Sequence, residues 1–285
     1  MYKFNVAIVQ LTLPAMLLLA SHTVAAQAAQ PAADPPGDSL ADSSPSVEEI
    51  ARLRQNPVSG LRQVYFQAEV APDSPPSGDT EGAYSLQAVW PVALPTPDYK
   101  LITYSILPVL QIPESPSGDT TWGMGNVVLN GFVAPTKTEN FVWGLGATAV
   151  LPTRSKDTLG SDRFGAGPAA VLFYAQQAWS AGVVLQNVWS LGGSGINEVN
   201  DFAAQYFLNY NFSDGWFIYS NSTVTADWTA DSSDRWTVPV GLGAGKVFTI
   251  GKQSVSVTLQ GVSNVVRPDH TADWGLNFQF TFMFP

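Results

Sequence analysis

Residues 274–284 read WGLNFQFTFMF. Large apolar side chains fill every second position, whereas the positions between them hold glycine, amides, a hydroxyl and a methionine. The apolar set is Trp274, Leu276, Phe278, Phe280, Phe282 and Phe284, and the other set is Gly275, Asn277, Gln279, Thr281 and Met283. Because successive side chains of a strand point to opposite faces, this pattern predicts a strand with one apolar and one mostly polar face. A soluble sheet would carry Lys, Glu and Arg on its polar face, so the neutral amides favour a confined interior.

The same alternation recurs from residue 61 onward. Twelve such segments lie near 61–69, 83–93, 99–110, 122–134, 141–152, 166–175, 179–190, 202–212, 216–226, 236–249, 254–265 and 274–284. The connections between them alternate between about 8–13 residues and about 3–6 residues. Long outer loops, short periplasmic turns and an even strand count are typical of bacterial outer-membrane barrels. We therefore predict an all-β fold, a closed antiparallel transmembrane β-barrel of about 12 strands with both termini on the short-turn side.

The composition supports a barrel and excludes several other classes. Only 13% of the 285 residues are charged, whereas soluble domains carry about a quarter. The mean hydropathy of +0.06 is far too low for a bundle of membrane helices. Cysteine is absent, which excludes disulfides and thiolate metal sites. The net charge of −10 argues against a nucleic-acid partner, because phosphate binding needs a basic face.

The chain divides into three parts by composition. Residues 1–26 have a basic start, an apolar core and a small-residue cleavage site, which predicts a secretory signal peptide rather than a membrane anchor. Residues 27–57 form a predicted disordered linker with a short helix near 47–55, where Ser46 and Glu49 have capping-box spacing. We interpret this part as a tether, with a plug or periplasmic latch as the alternative. Residues 58–285 form the predicted barrel.

Aromatic side chains cluster at the ends of the predicted strands. Amphipathic rings are most stable at the level of lipid headgroups, so two girdles are expected. The outer girdle would contain Trp122, Trp189, Trp228, Trp236 and Trp274, and the inner girdle Tyr99, Trp143, Trp179, Trp216, Phe248 and Phe284. The aromatic end of the last strand, at Phe282 and Phe284, resembles the signal that outer-membrane assembly machinery reads.

The inward positions predict the lining of a pore. They are Gln205, Asn209, Asn211, Asn221, Thr225, Asp227, Arg235, Thr237, Thr258, Gln260, Asn264, Asn277, Gln279 and Thr281. Such mostly neutral hydrogen-bonding groups suit passage of small polar or weakly amphiphilic solutes without strong charge selection. A barrel whose interior is packed shut is the alternative.

The six long loops carry fourteen acids and five bases, a net charge of −9 at the outer mouth (5 − 14). This charge predicts a mild cation preference and contacts with the surrounding lipids and lipopolysaccharide. Asp227 and Arg235 begin and end one of these loops, and we expect them to face the lumen as a pair.

Several short motifs together resemble one known family. They include Trp143-Gly144-Leu145-Gly146, Gly165-Ala166-Gly167-Pro168-Ala169, Asp214-Gly215-Trp216 and Arg235-Trp236-Thr237-Val238-Pro239-Val240-Gly241. Over residues 56–285 the sequence resembles the outer-membrane transporters of the MetA-pathway of phenol degradation family. The resemblance implies phenolic or other aromatic solutes, and it offers no catalytic residues.

Catalysis is not indicated. Gly241, Gly243, Gly245 and Lys246 lack the spacing of a phosphate loop and are better explained as a glycine-lined strand. A barrel lipid hydrolase would need a Ser or Thr with a His base, and the predicted mature chain has only His270, which we interpret as a solvated loop residue. We therefore expect no enzyme activity, no cofactor and no metal, with a structural barrel or a lipid hydrolase as alternatives to a channel.

Overall fold

The computed structural model describes residues 46–114, 119–137, 140–176, 178–194 and 198–284. The predicted signal peptide and most of the predicted linker lie outside the described residues. One helix, α1, spans Val47–Gln55. The strands are β1 (Arg62–Ser74), β2 (Asp79–Ala93), β3 (Tyr99–Glu114), β4 (Asp119–Met124), β5 (Val127–Pro135), β6 (Phe141–Leu151), β7 (Arg163–Gln176), β8 (Trp179–Gly193), β9 (Asn200–Asn211), β10 (Trp216–Asp227), β11 (Trp236–Ile250), β12 (Gln253–Val266) and β13 (Trp274–Phe284).

All thirteen strands belong to one sheet that closes on itself. Strands adjacent in the chain pair with each other, except β4 with β5. β1 pairs with β13, and all the pairings are antiparallel. β4 and β5 both pair with β3 and are two halves of one barrel strand. The barrel therefore has twelve strand positions, as the sequence predicts. Closure leaves no open edge, which is what a sheet in lipid requires.

The break between β4 and β5 anchors a loop inside the barrel. The backbone N–H of Ser155 donates to the Met124 carbonyl at 2.9 Å, and the side chain of Asn126 donates to the Ser161 carbonyl at 2.7 Å. Residues 152–162, which join β6 and β7, thereby fold against the inner wall, where Leu159 is fully buried against a cluster that includes Leu110. The loop narrows the outer half of the lumen.

The inner ends of the strands agree with the sequence prediction to within a few residues, but several outer ends extend further. The prediction of a long loop at 70–82 is wrong, because the observed turn is shorter. β1 and β2 pair at Val70↔Gly82 and Ala71↔Glu81 and again at Ser74↔Asp79, with an irregularity at residues 72–73, which leaves only a four-residue turn, 75–78. Pro, Asp, Ser and Gly in this segment indicate a loop locally, whereas the cross-strand ladder continues beyond the bilayer.

The outer surface has the belt expected of a membrane barrel. Leu242 at 70% and Leu145 at 61% exposure present bare aliphatic side chains midway along their strands. Of the eleven predicted girdle residues, ten are exposed and Phe248 is half-buried. Trp228 and Trp236 pack edge to face at 5.5 Å in the outer girdle. An apolar belt between two aromatic rims places this barrel in a bacterial outer membrane.

Helix α1 lies inside the inner end of the barrel. The Ser46 hydroxyl caps its start by accepting a hydrogen bond from the Glu49 backbone N–H at 3.1 Å. Ile50 and Ala51 are buried in a cluster with wall residues, among them Phe217. This packing fits the plug alternative rather than a free tether. No helix in the described part of the chain is long and apolar enough to span a bilayer.

Candidate functional site

Glycines shape one wall of the lumen. Gly241, Gly243 and Gly245 lie on the inward face of β11, and side chains of the neighbouring strands occupy the space above them. A Cβ at Gly243 would meet the Tyr219 ring at 2.7 Å and the Gln260 Cβ at 2.8 Å. This close approach explains the glycine run in structural terms.

The inner half of the lumen holds a cavity of about 180 Å³, here called the inner chamber. Its apolar walls come from aliphatic and aromatic side chains of β3, β5, β7 and β9, and its polar groups are mainly amides and tyrosine hydroxyls. Arg54 of α1 also lines it. The apolar lining includes Ile102, Ile106, Phe132, Val171 and Phe207, and the polar lining includes Gln63, Tyr65, Gln87, Tyr104, Asn130, Gln205, Asn209, Tyr219, Asn221, Thr223 and Gln279.

The outer half of the lumen holds a second cavity of about 280 Å³, here called the outer chamber. It is lined by the carboxylates of Glu69 and Glu81 and by Thr158 of the inward-folded loop. Asn221 and Thr223 of β10 border both chambers. The two chambers therefore follow each other along the barrel axis at these two residues.

A chain of hydrogen bonds crosses one side of the lumen. The Tyr65 hydroxyl donates to that of Tyr104 at 3.0 Å, and Tyr104 donates to the Gln87 carbonyl oxygen. Gln87 donates to Gln67 at 3.0 Å, and Gln67 donates to a carboxylate oxygen of Glu69 at 2.5 Å. The network fixes these side chains against β1, β2 and β3 and leaves the space beside them open.

A second network joins α1 to the opposite wall. Gln55 donates to Asn211 at 2.7 Å and accepts from it at 3.1 Å. The Ser180 hydroxyl donates to Gln55 at 2.8 Å, and Asn209 donates to Ser180 at 3.1 Å. These buried polar contacts hold the helix in the lumen.

At the outer rim, the expected pairing of Asp227 with Arg235 is not formed by the side chains. Their backbones are bonded, with the Asp227 N–H donating to the Arg235 carbonyl at 2.9 Å. The Asp227 carboxylate accepts from Thr229 at 2.6 Å and 2.7 Å. Arg235 donates to the Ala230 carbonyl at 3.3 Å and lies over the Trp228 ring. The turn after Asp227 thus gives each side chain a local hydrogen bond, whereas the Nε of Arg235 is shielded from solvent without a partner.

Asp227 instead lies opposite a second acid. Asp201 is its cross-strand partner in the ladder between β9 and β10. By the alternation along these strands, both carboxylates are on the lumen side. Two bases of the loops are occupied elsewhere, since Arg154 pairs with Asp157 at 2.7 Å and Arg267 pairs with Asp273. The rim therefore keeps acidic character toward the lumen.

The predicted pore-lining residues separate into six groups by position. Gln205, Asn209 and Gln279 border the inner chamber, Thr225, Thr237, Asn264 and Asn277 border the outer chamber, and Asn221 borders both. Thr258, Gln260 and Thr281 face inward but are almost fully buried under neighbouring side chains. Asn211 bonds to the helix, whereas Asp227 and Arg235 lie at the rim. Which of these side chains a solute touches stays a prediction.

His270 differs from the solvated loop residue that we expected. It borders the outer chamber, and its Nε2 is shielded from water without a hydrogen-bond partner. The helix residue Arg54 and the inward face of β1, with Tyr65 and Glu69, were not predicted as site residues. The alternation Gln63, Tyr65, Gln67, Glu69 in β1 carries the signal that would have identified them.

Residues 78–280 match the family described as "Putative MetA-pathway of phenol degradation", well over half of the chain. The chain belongs to this family. The membership agrees with the resemblance seen in the sequence motifs. No curated protein matches this member of the family in sequence.

Several solved structures are similar to this family member, and the first of them shares its fold. The COG4313 outer membrane channel from Pseudomonas putida F1 is 18% identical over 79% of this chain and 94% of that chain, with a TM-score of 0.58. The NanC porin is 10% identical over 79% of this chain and 99% of the porin chain, with a TM-score of 0.49. Outer membrane phospholipase A from Escherichia coli is 11% identical over 84% of this chain and 96% of the phospholipase chain, with a TM-score of 0.43. At these identities the likeness concerns the fold alone.

Proposed function

We propose that this barrel is a passive channel through which small solutes, phenolic and other aromatic compounds among them, cross the outer membrane. The observation that carries the proposal is the pair of successive chambers, which share Asn221 and Thr223 and together follow the barrel axis. Diffusion down a concentration gradient requires no cofactor.

The lining supports solutes that combine an apolar body with a few polar atoms. Phe132, Phe207 and Ile106 offer apolar surface in the inner chamber, whereas Gln205 and Asn221 are bonded to each other at 2.9 Å. Because these amides already satisfy one another, a solute does not have to replace many hydrogen bonds to pass. The phenol-degradation description of the family agrees with this solute class.

Liposome swelling tests the proposal. Vesicles that contain the folded protein should swell faster in phenol or catechol than in an uncharged sugar of larger size. Empty vesicles provide the baseline for the intrinsic permeability of lipid to phenol. Equal swelling rates for protein-containing and empty vesicles, with every solute, would contradict transport.

A closed structural barrel is the second candidate, and a specific observation favours it. Helix α1 and the loop 152–162 both occupy the lumen, and the chambers between them are small. A lipid hydrolase is the third candidate, and His270 argues against it. Such an enzyme needs its His base at the lipid-facing surface, whereas His270 borders the outer chamber. Phospholipid hydrolysis that is lost in His270→Ala would restore that candidate.

The lipid surroundings follow from the barrel, and two further partners belong to the proposal. The exposed Phe282 and Phe284 at the end of β13 provide the aromatic strand end that barrel-assembly machinery would bind. The acidic loops would bind lipopolysaccharide through bridging divalent cations.

A further inference from the structure

One charged side chain reaches into the inner chamber. Arg54 belongs to the last turn of α1 and is among the residues that line this cavity. Its carbonyl accepts a weak hydrogen bond from Gln63 at 3.4 Å, and its guanidinium carbon lies 5.2 Å from the centroid of the Phe217 ring. The barrel wall thus orients the guanidinium but does not neutralise it.

Among the described residues, the guanidinium of Arg54 has no hydrogen-bond acceptor. Its Nε is shielded from solvent and has no hydrogen-bond partner. Within the described part of the chain, Arg54 also has no ion pair. A buried donor that carries charge is costly to leave unsatisfied, and a buried charge is normally paired. An anion in the chamber would supply both the acceptor and the countercharge.

Among the described residues, no carboxylate lines the inner chamber that could pair with Arg54 in place of an anion. Arg54 is the one charged residue among those that line this cavity. The carboxylates of the lumen, Glu69 and Glu81, line the outer chamber instead. Charge in the described lumen is therefore separated by depth, with acids toward the outside and a cation toward the periplasm.

The remaining walls select the rest of the ligand. Ile102, Phe132, Val171 and Phe207 present apolar surface, and they belong to one buried cluster or pack against it. An apolar cavity of about 150 Å³ can bind benzene, and the inner chamber has about 180 Å³. The chamber can thus hold one aromatic ring and a small substituent. A multiply charged phosphate would find a single cation and extensive apolar wall in this chamber.

We propose that the inner chamber is a binding site for a small aromatic carboxylate, with Arg54 pairing its carboxylate and the apolar walls enclosing its ring. Arginine is suited to this role because its planar fork matches a carboxylate with two parallel hydrogen bonds. The site rests on the proposed function, because it lies on the path of the solute. It adds to that function an anion-recognising step near the periplasmic end.

Benzoate binding to the folded full chain in detergent, followed by isothermal titration calorimetry, tests the site. The wild type should bind benzoate, and Arg54→Gln should weaken the affinity at least tenfold. Arg52→Gln is the matched control, because Arg52 is exposed in the same helical turn, and it should leave the affinity unchanged. Benzyl alcohol, a neutral compound of similar shape, should bind the wild type and Arg54→Gln equally weakly.

Three results would overturn the site: no benzoate binding by the folded wild type, equal benzoate affinity in the wild type and Arg54→Gln, or benzyl alcohol binding as tightly as benzoate. If Arg54→Gln does not fold, Arg54→Lys replaces it. Lysine keeps the charge but loses the fork, so its affinity should fall between those of the wild type and an uncharged site. Affinity equal to wild type in the lysine variant would contradict bidentate recognition.

The outcomes separate this site from the channel itself. If wild-type vesicles pass phenol but the protein does not bind benzoate, the binding site is refuted and the transport proposal stands. Benzoate binding by a barrel that passes no solute would overturn transport and leave the site standing.

Discussion

Gln55 and Asn211 exchange two hydrogen bonds, at 2.7 Å and 3.1 Å, and so join the helix inside the barrel to strand β9. Ser180 adds a third contact by donating to Gln55 at 2.8 Å. All three groups are at least partly buried, so the helix is held by polar contacts that water does not readily replace. Together with the apolar packing of Ile50 and Ala51, this glutamine holds α1 in the lumen.

Loss of that glutamine should loosen the helix. In Gln55→Ala, Asn211 and Ser180 lose their hydrogen bonds to Gln55, although Asn211 keeps its bond to Ala178 and Ser180 keeps its bond from Asn209. Each buried polar atom left unsatisfied costs about 1–3 kcal/mol. We expect larger and noisier single-channel currents than in the wild type. Arg52→Ala, which removes an exposed side chain of the same helix, should behave as the wild type. Identical currents in all three proteins would mean that α1 does not restrict the pore.

The acids at the outer rim should set ion preference. Asp227 and Asp201 are cross-strand partners on the lumen side, whereas Asp73 is exposed near the β1–β2 turn. Asp227→Asn should lower the cation preference at low salt more than Asp73→Asn does, because only the former charge lies at the entrance. Reversal potentials across a low-salt gradient measure this preference. Equal potentials in the wild type and both variants would exclude the acidic rim as the determinant, as would equal shifts in the two variants.

The strands and the closure of the barrel were predictable because alternation is a strictly local signal. In β13, each of the six large apolar residues faces lipid, and each of the residues between them faces inward. The sequence of these eleven residues is therefore enough to assign both faces of the strand. The aromatic girdles follow from the same periodicity. The outer end of β1 was not predictable in this way, because Pro72 and Asp73 resemble a loop. They form an unpaired irregularity with Asp73 at φ 54°, and pairing with β2 resumes at Ser74.

The site was predicted less completely. Periodicity tells which residues face inward, but it does not tell which are covered by others. Thr258 and Gln260 are inward yet almost fully buried, because the Gly241–Gly245 stretch of β11 lets neighbouring side chains lie over this wall. The positions of α1 and of the loop 152–162 depend on contacts between residues far apart in the chain, such as Gln55 with Asn211. No local pattern encodes such contacts.

The role of the β11 glycines can be measured directly. In Gly243→Ala the new methyl group would meet the Tyr219 ring at 2.7 Å and the Leu259 carbonyl at 2.5 Å, so the folded barrel should lose about 1–3 kcal/mol of stability. Gly261→Ala is the control, because nothing lies within 4 Å of its Cβ position. Urea unfolding in lipid vesicles, followed by tryptophan fluorescence, compares the two. A Gly243→Ala variant as stable as Gly261→Ala would refute tight packing over this strand.

The lipid belt makes a second stability prediction. Leu242 lies near the middle of β11 and is 70% exposed on the outer face, so Leu242→Arg should destabilise the barrel in a bilayer by about 2–4 kcal/mol. Thr223→Arg provides a lumen-facing comparison on the neighbouring strand β10, and Thr223 has no hydrogen-bond partner to lose. Its cost should be smaller, because the arginine can point into a chamber. A larger loss of stability in Thr223→Arg than in Leu242→Arg would contradict the assignment of the lipid-facing and lumen-facing sides.

Electrical recording in planar bilayers tests the existence of a continuous pore most directly. The folded full chain, checked by its shift in gel mobility on heating, is added to one side of a bilayer in salt solution. We predict stepwise increases in current, each from one inserted barrel, and partial block by phenolic solutes that enter the chambers. Insertion of folded barrels without any current, together with no solute-induced swelling of vesicles, would contradict the channel and leave a closed structural barrel.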